Sequence, residues 1–231
     1  MTFSLSNAIN NNLSLFLNSI QLKSADSVKF LGVTLDSRLN WIAHIDEIYS
    51  KIIKLTSLFY KLRNKLPSNI LKDTYFSTIH SKLVYGIEIY ANTYITHLDK
   101  LITLNNKILR ILQFKTSKSH RADLYLEYNT LPINLLFKLK ISTFIHKCLY
   151  NKELLPLIFQ KYICLNNSIH LHETRSKDLV HISQVNKRQG SRALNILGAR
   201  IWNDLPQTIT SISNIISFGN RSKCYYLSEL I

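Results

Sequence analysis

The sequence predicts a mainly α-helical protein: a small antiparallel β-sheet at the N-terminus, then a three-helix bundle, then a helical C-terminal domain. Three observations carry this. Apolar residues recur at i, i+3, i+4, i+7 spacing from residue 41 onward, the stripe of amphipathic helices. Alternation of period two is confined to residues 13–35. The 231 residues include only 5 Gly and 4 Pro, which favours long helices over many tight turns.

In chain order, residues 1–12 end in Asn10-Asn11-Asn12 and read as a frayed start. Leu13, Leu15 and Leu17 alternate as a strand, Asn18-Ser19 is a turn, and Ile20-Gln21-Leu22 is a second short strand. Ser24-Ala25-Asp26-Ser27 is a loop. Val28–Leu35, rich in β-branched and aromatic residues, reads as a third strand. Gly32 inside it marks a bulge or a close backbone approach. Three such strands are marginal alone and need a helix or further chain to lean on. Asp36-Ser37 is turn chemistry, and Asn40 is placed to cap a helix that starts at Trp41.

From Trp41 the period becomes helical. Ile45, Ile48, Tyr49, Ile52, Leu55, Leu58, Phe59, Leu62 and Leu66 form one stripe over about six turns, ended by Leu66-Pro67. Ser68 opens a second helix with Leu71, Tyr75, Ile79, Leu83 and Ile87 on one face, which Gly86 weakens near its end. Thr96-His97-Leu98-Asp99 has the form of a capping box and opens a third, with Leu98, Leu101, Ile102, Ile108, Leu109 and Leu112 at core spacing. Lys115–Arg121 is a basic linker. A fourth helix follows Pro132, with Phe137, Ile141, Phe144, Ile145 and Cys148 as its stripe. Residues 150–160 form a short helix with Pro156 near its end. Asn166–Gly190 is loop with one strand at Leu179–Ile182, and Ser191–Leu205 is helical until Pro206.

Charge narrows the partners. With 29 Lys+Arg against 14 Asp+Glu, the net charge is +15 and the pI about 9.7. Residues 1–66, 67–150 and 151–231 carry +4, +6 and +5, so the folded body itself is basic. That points to a polyanion, usually nucleic acid; the bland alternative is a solvated surface in a Lys-rich composition. Lys51, Lys54, Lys61, Arg63 and Lys65 fall largely outside the apolar stripe of the first long helix. Interleaved with Tyr49 and Tyr60, they can neutralise duplex phosphates without reading bases.

Cys148, Cys164 and Cys224 are sparse and odd in number, as free thiols of a reducing compartment would be. With no apolar run of about 20 residues and no secretory leader pattern, an intracellular protein is expected, in nucleus or cytoplasm. Cys148, Cys164, His170 and His172 lack a C-x2-C knuckle and are not expected to bind zinc. His44 reads as a helix-start packing residue rather than a general base. No G-x-S-x-G, G-x-x-x-x-G-K-[ST] or G-x-G-x-x-G occurs, so those hydrolase and nucleotide-binding loops are absent.

The string Phe30-Leu31-Gly32-Val33, then Asp36, then Leu39-x-Trp41-x-x-His44-Ile45, resembles reverse transcriptases of non-LTR (LINE-type, jockey-like) retrotransposons just after their polymerase active site. Leu66-Pro67, Tyr85-Gly86 and Leu104-Asn105-Asn106-Lys107-Ile108-Leu109-Arg110 follow in family-like order, with Asn105 where Gln is usual. Thr174-Arg175 and Gly198-Ala199-Arg200-Ile201-Trp202-Asn203-Asp204-Leu205-Pro206 resemble the C-terminal domain of the same elements.

The resemblance implies that Phe30, Leu31 and Gly32 are the primer grip, a β-hairpin holding the primer end. It implies a palm remnant with primer-grip strands over 1–36, a thumb over 37–118 that packs on template–primer duplex, and a C-terminal helical domain over 119–231. Polymerisation needs adjacent Asp residues for Mg²⁺. This chain has no Asp-Asp pair, and Asp46-Glu47 suit the start of a helix. The chain is therefore expected to hold no metal or other cofactor, Mg²⁺ belonging to the full-length polymerase, and to be inactive alone. Its expected partners are RNA or DNA duplex, bound non-specifically, and the palm and fingers portion; no membrane is expected. The alternatives are a non-catalytic helical protein-interaction module and a relic reading frame without function.

Overall fold

The computed structural model describes residues 16–21, 25–169, 176–186 and 190–230. Expectations on Leu13, Leu15, Leu22, His170, His172, Thr174 and Arg175 lie outside these residues. The structure is mostly helical, with short antiparallel strands at its N-terminal end. It divides into two compact units, residues 1–124 and 125–231.

The first unit opens with two hairpins instead of one three-stranded sheet. β1 (Phe16–Leu17) pairs with β2 (Ile20–Gln21), and β3 (Ser27–Phe30) with β4 (Val33–Asp36). The expected single strand over Val28–Leu35 therefore folds back on itself. Leu31 and Gly32 both take left-handed backbone, φ 46° and 78°, the pattern of a two-residue type I′ turn. Asn18 and Ser19 make the same turn in the first hairpin. Leu, unlike Asn or Gly, has no intrinsic liking for this conformation, so the alternation of apolar residues concealed the turn.

Asp36 organises the next step. Its carboxylate accepts from the backbone N–H groups of Arg38, Asn40 and Trp41, the last at 2.8 Å. Trp41 is left-handed, φ 66°, and α1 (Ile42–Ile53) begins one residue later than predicted, with Asn40 Oδ1 accepting from Ile42 N at 3.0 Å. The predicted six-turn helix is two: α1, and α2 (Thr56–Leu62) after a tightened turn in which Leu55 N donates to Ile52 O. Of the predicted stripe, Ile45, Ile48, Ile52 and Phe59 are buried, Tyr49, Leu55, Leu62 and Leu66 are half-buried, and Leu58 is exposed.

The second predicted helix starts at Ser68 but is interrupted. α3 (Ser68–Tyr75) runs into a π-helical turn at Phe76–His80 and on to α4 (Ser81–Val84). Four hydroxyls, on Thr74, Ser77, Thr78 and Ser81, donate back to carbonyls three or four residues earlier, which loosens the regular ladder. Gly86, φ 67°, then breaks the chain before α5 (Ile87–Tyr90). α6 (Ile95–Leu112) packs against α1, α2 and α3. It starts at Ile95 without a side-chain cap, so the capping box at Thr96–Asp99 does not form: both residues already lie within the helix. Asn105 is buried and accepts from Tyr75 Oη at 3.1 Å, a polar contact locked inside the core.

α7 (Arg121–Tyr128) precedes the main helix of the second unit, α8 (Ile133–Tyr150), for which Pro132 is the residue just ahead of the first turn. Pro156 starts α9 (Leu157–Gln160) instead of ending a helix, because its fixed φ suits a first turn and a 3₁₀ turn at Lys152–Leu154 has already closed. The strand expected over 179–182 reduces to a bridge between Leu165 and Val180. A 3₁₀ turn at Gly190–Arg192 leads to α10 (Leu194–Asn203), so the helix begins later than Ser191. α11 (Gln207–Thr210) and α12 (Ile215–Ser228) follow. α12 was not anticipated, although Asn214 caps it by accepting from Ile216 N and Ser217 N. α8 packs against α10 and α12. No helix among the described residues is long and apolar enough to cross a membrane.

Candidate nucleic-acid interface

Phe30, Leu31 and Gly32 form the tip of the second hairpin. Phe30 and Leu31 are 62% and 74% exposed, so the tip projects apolar side chains into solvent. Its backbone, by contrast, is held. Tyr85 Oη donates to Leu31 O at 2.6 Å, and the Tyr85 ring lies where a Cβ on Gly32 would come within 3.1 Å. The Tyr85-Gly86 break thus brings an aromatic hydroxyl under the turn, and a Cβ on Gly86 would in turn press Val33 at 3.1 Å.

The hairpin also docks on α1. Thr34 N donates to His44 Nδ1 at 3.3 Å, and Thr34 Oγ1 donates to Glu47 Oε2 at 2.8 Å. Lys29 and Lys51 both pair with Glu47 Oε1, Lys51 at 2.7 Å. Hydrogen bonds from Lys29, then Lys51 and Thr34, hold the Glu47 carboxyl down to about 2, so it stays ionised. His44 is buried with its ring edge against Tyr90, 5.3 Å between centroids. Burial pushes its pKa down and outweighs the pull of Glu47. It is a packing residue with one engaged nitrogen; Nε2 is buried and has no partner among the described residues.

The five basic positions separate into three kinds. Lys54, Lys61 and Lys65 are exposed and, among the described residues, make no ion pair or side-chain hydrogen bond. Lys51 is exposed but tied to Glu47. Arg63 is half-buried, its guanidinium 5.0 Å from the Tyr60 ring and 5.3 Å from Phe114, so it braces α2 against the chain after α6. Lys51, Lys54, Lys61 and Lys65 recur at spacings of three, seven and four residues through a backbone that stays right-handed at Lys54 and Leu55. Sequence reasoning missed Lys82, which with Ser81, His44, Lys51, Gly32 and Tyr85 lines a cavity of about 260 Å³. Its only signal was the cluster of hydroxyls that makes the π-helical turn.

In the second unit the stretch 198–206 has a packing role. A Cβ on Gly198 would meet Ile145 Cδ1 at 2.6 Å, so α10 lies close on α8. Trp202 is buried and stacks on Phe218 at 5.3 Å. Asn203 exchanges two hydrogen bonds with the backbone of Val180, at 3.0 and 2.9 Å. Burial raises the Cys148 thiol to about 11, and Cys164 is exposed. Among the described residues no group of three His, Cys, Asp or Glu is placed to hold a metal ion.

Comparison with known proteins gives one informative match. Over 98 residues, 41% of this chain, it is 32% identical to the RNA-directed DNA polymerase from mobile element jockey of Drosophila melanogaster. The chain covers 11% of that relative's length. No family model matches, and no solved structure matches. Part of the chain is thus distantly related to a reverse transcriptase of a mobile element.

Proposed function

We propose that the first unit is the primer-grip and thumb portion of a retrotransposon reverse transcriptase, and that it holds an RNA or DNA duplex by the phosphate backbone without reading sequence. One observation carries this: Gly32 of the hairpin tip and Lys51 of the basic helix line the same cavity, while Lys29, Glu47 and Thr34 bind hairpin and helix into one body. A grip and a basic face so joined present a single surface to one duplex. The distant kinship to a mobile-element polymerase supports the same reading. These residues hold no Asp-Asp pair, so in this reading the catalytic carboxylates for Mg²⁺ lie outside them, in the palm and fingers portion.

The test is a titration of the full chain with a fluorescent duplex at several salt concentrations. Binding that weakens steeply with salt, equally for unrelated sequences, is expected. Absent or salt-independent binding overturns the proposal.

A second reading rests on the exposed apolar residues Phe16, Leu17, Ile20, Phe30 and Leu31 of the two hairpins. A surface of this kind suits a protein partner. Concentration-dependent self-association without nucleic acid would favour it.

A further inference from the structure

A larger cavity than the one beneath the hairpin lies wholly within the second unit and has no part in the duplex-holding reading. Its volume is about 810 Å³, inside the range of roughly 300–1,000 Å³ that small-molecule sites occupy. It is bounded by the end of α8, the 3₁₀ turn at Lys152–Leu154, the end of α9 with the loop after it, the end of α10, and α11. Several of its walls are pinned to backbone. Tyr150 Oη donates to Thr210 O at 2.7 Å, Asn203 holds its two hydrogen bonds with Val180, and Gln160 Nε2 donates to Leu155 O at 3.2 Å. The cavity is therefore shaped by the fold itself.

Other lining groups are uncommitted. Lys152, Lys161 and Asp178 are exposed and, among the described residues, make no ion pair or side-chain hydrogen bond. The side-chain amides of Asn167 and Gln207, on the same cavity, have no partner among the described residues either. Ammonium groups donate to phosphate. Amides both donate and accept, and a carboxylate accepts, which is the mixture that the edge of a nucleobase pairs with. Tyr150 adds an aromatic surface. Its ring packs on His146, 4.7 Å between centroids, its hydroxyl is tied to Thr210, and it is still 40% exposed. A ring fixed in this way is a stacking platform for any base. The unit carries 13 Lys+Arg against 6 Asp+Glu, a net charge of +7, so its field favours an anion.

We propose that this cavity receives one unstacked nucleotide, its base laid on Tyr150 and its phosphate met by Lys152 and Lys161. A small inorganic anion would leave most of the volume and the Tyr150 ring uncovered. A duplex keeps its bases paired and stacked, so it cannot enter. The shared chemistry, a base joined to a phosphate, belongs equally to a free nucleoside 5′-phosphate and to an unpaired nucleotide of a single strand, and the experiment separates the two.

Cys164 is an exposed thiol on the cavity wall, whereas Cys148 is buried and Cys224 is exposed outside it. The full chain is reacted with a neutral maleimide, and labelling at each cysteine is read by peptide mass spectrometry. Adenosine 5′-monophosphate is expected to slow labelling of Cys164 saturably and to leave Cys224 unchanged. A short single-stranded oligonucleotide that protects Cys164 at lower concentration than the mononucleotide assigns the site to a strand. Protection by the mononucleotide alone assigns it to the free ligand. Lys152→Gln and Lys161→Gln, both surface changes, should each raise the half-protecting concentration about tenfold, the loss of one charge-assisted hydrogen bond. Tyr150→Leu should raise it about tenfold relative to Tyr150→Phe. Both of these lose the bond to Thr210, so their difference reads the ring alone. The proposal is overturned if Cys164 is not protected, if inorganic phosphate protects it as well as the nucleotide does, if a blunt duplex protects it as well as the single strand, or if the variants protect like the parent chain. Duplex holding by the first unit survives each of these failures, because its salt titration is read independently of Cys164.

Discussion

The hydroxyl of Tyr85 donates to the carbonyl of Leu31 at 2.6 Å, across 54 residues of sequence. The same ring fills the space that a side chain on Gly32 would need, and Gly86 leaves room for Val33. Phe30-Leu31-Gly32-Val33 and Tyr85-Gly86, distant in the chain, are two halves of one interlock. The left-handed Leu31 costs about 1–2 kcal/mol by itself, and the Tyr85 hydrogen bond offsets part of that.

Gly32→Ala should therefore loosen the hairpin without melting the unit. A Cβ at φ 78° is strained by about 1–2 kcal/mol and must also displace Tyr85. In native-state hydrogen exchange the amide of Thr34, which donates to His44, should exchange about 5- to 30-fold faster. The amide of Ile108 in α6, in the buried core, should be unchanged. Equal effects at both amides would show that the hairpin is not a separate cooperative layer.

Gly198→Ala tests the close approach of α10 to α8. Alanine gains about 1 kcal/mol of helix propensity, but overpacking against Ile145 costs about 1–3 kcal/mol. Because Ile145 is fully buried and has little room to turn aside, the loss should win, and the urea midpoint should fall. Ile145→Val removes the offending Cδ1. The double variant should recover stability, with a coupling energy of about 0.5–3 kcal/mol. Strict additivity would mean that the two helices move apart instead of clashing.

These tests also mark how far sequence could go. The helical stripe was legible because Ile45, Ile48, Ile52 and Phe59 obey one period and all are buried. The turn at Asp36 was legible because its chemistry is local, and Asn40 does accept from Ile42 N, although the residue at the cap position of α1 is Trp41. The Leu31-Gly32 turn was hidden from the residue pattern, since a left-handed Leu is held by a hydroxyl from Tyr85 that no local pattern reveals, and only the family resemblance placed a β-hairpin there. The π-helical turn was hidden although the hydroxyls of Thr74, Ser77, Thr78 and Ser81 that loosen the ladder are local, because apolar periodicity does not register them, whereas the break falls at Gly86, already marked as the weak point of the second helix. Of the basic positions, spacing could not tell a free Lys54 from a Lys51 paired to Glu47 or an Arg63 laid on Tyr60 and Phe114.

Acid should destabilise the second unit through His146. It is fully buried, stacked on Phe218 at 4.4 Å, and donates from Nε2 to Ile212 O at 2.7 Å. Burial lowers its pKa below 6.5, more than the carbonyl of Ile212 raises it. The unfolded chain therefore binds the proton more readily than the folded one. Stability is fully present above about pH 7 and is lost as pH falls through 6.5 toward the lower folded value. Glu47 adds a separate loss between 4.5 and about 2 in the first unit. Unfolding followed by Trp202 fluorescence in a Trp41→Phe background should show the first limb. His146→Gln should flatten it, and an unchanged limb would assign it elsewhere.

The basic positions should contribute unequally to duplex binding. Each lysine that neutralises a B-DNA phosphate adds about 0.9 to the steepness of log K against log salt. Lys54, Lys61 and Lys65 are unpaired among the described residues, so replacing all three with Gln should remove between about 2 and 3 from the slope. Lys51 must first leave Glu47, whose carboxyl is held ionised near 2, so Lys51→Gln should remove less than Lys54→Gln. Arg63→Gln should act differently again. With its guanidinium laid on Tyr60 and Phe114 and its Nε buried, the loss should appear in the urea midpoint before it appears in the slope. Fluorescence anisotropy at four salt concentrations measures all of these slopes. Equal slopes for Lys51→Gln and Lys54→Gln would mean that the Glu47 pair opens freely on contact with the duplex.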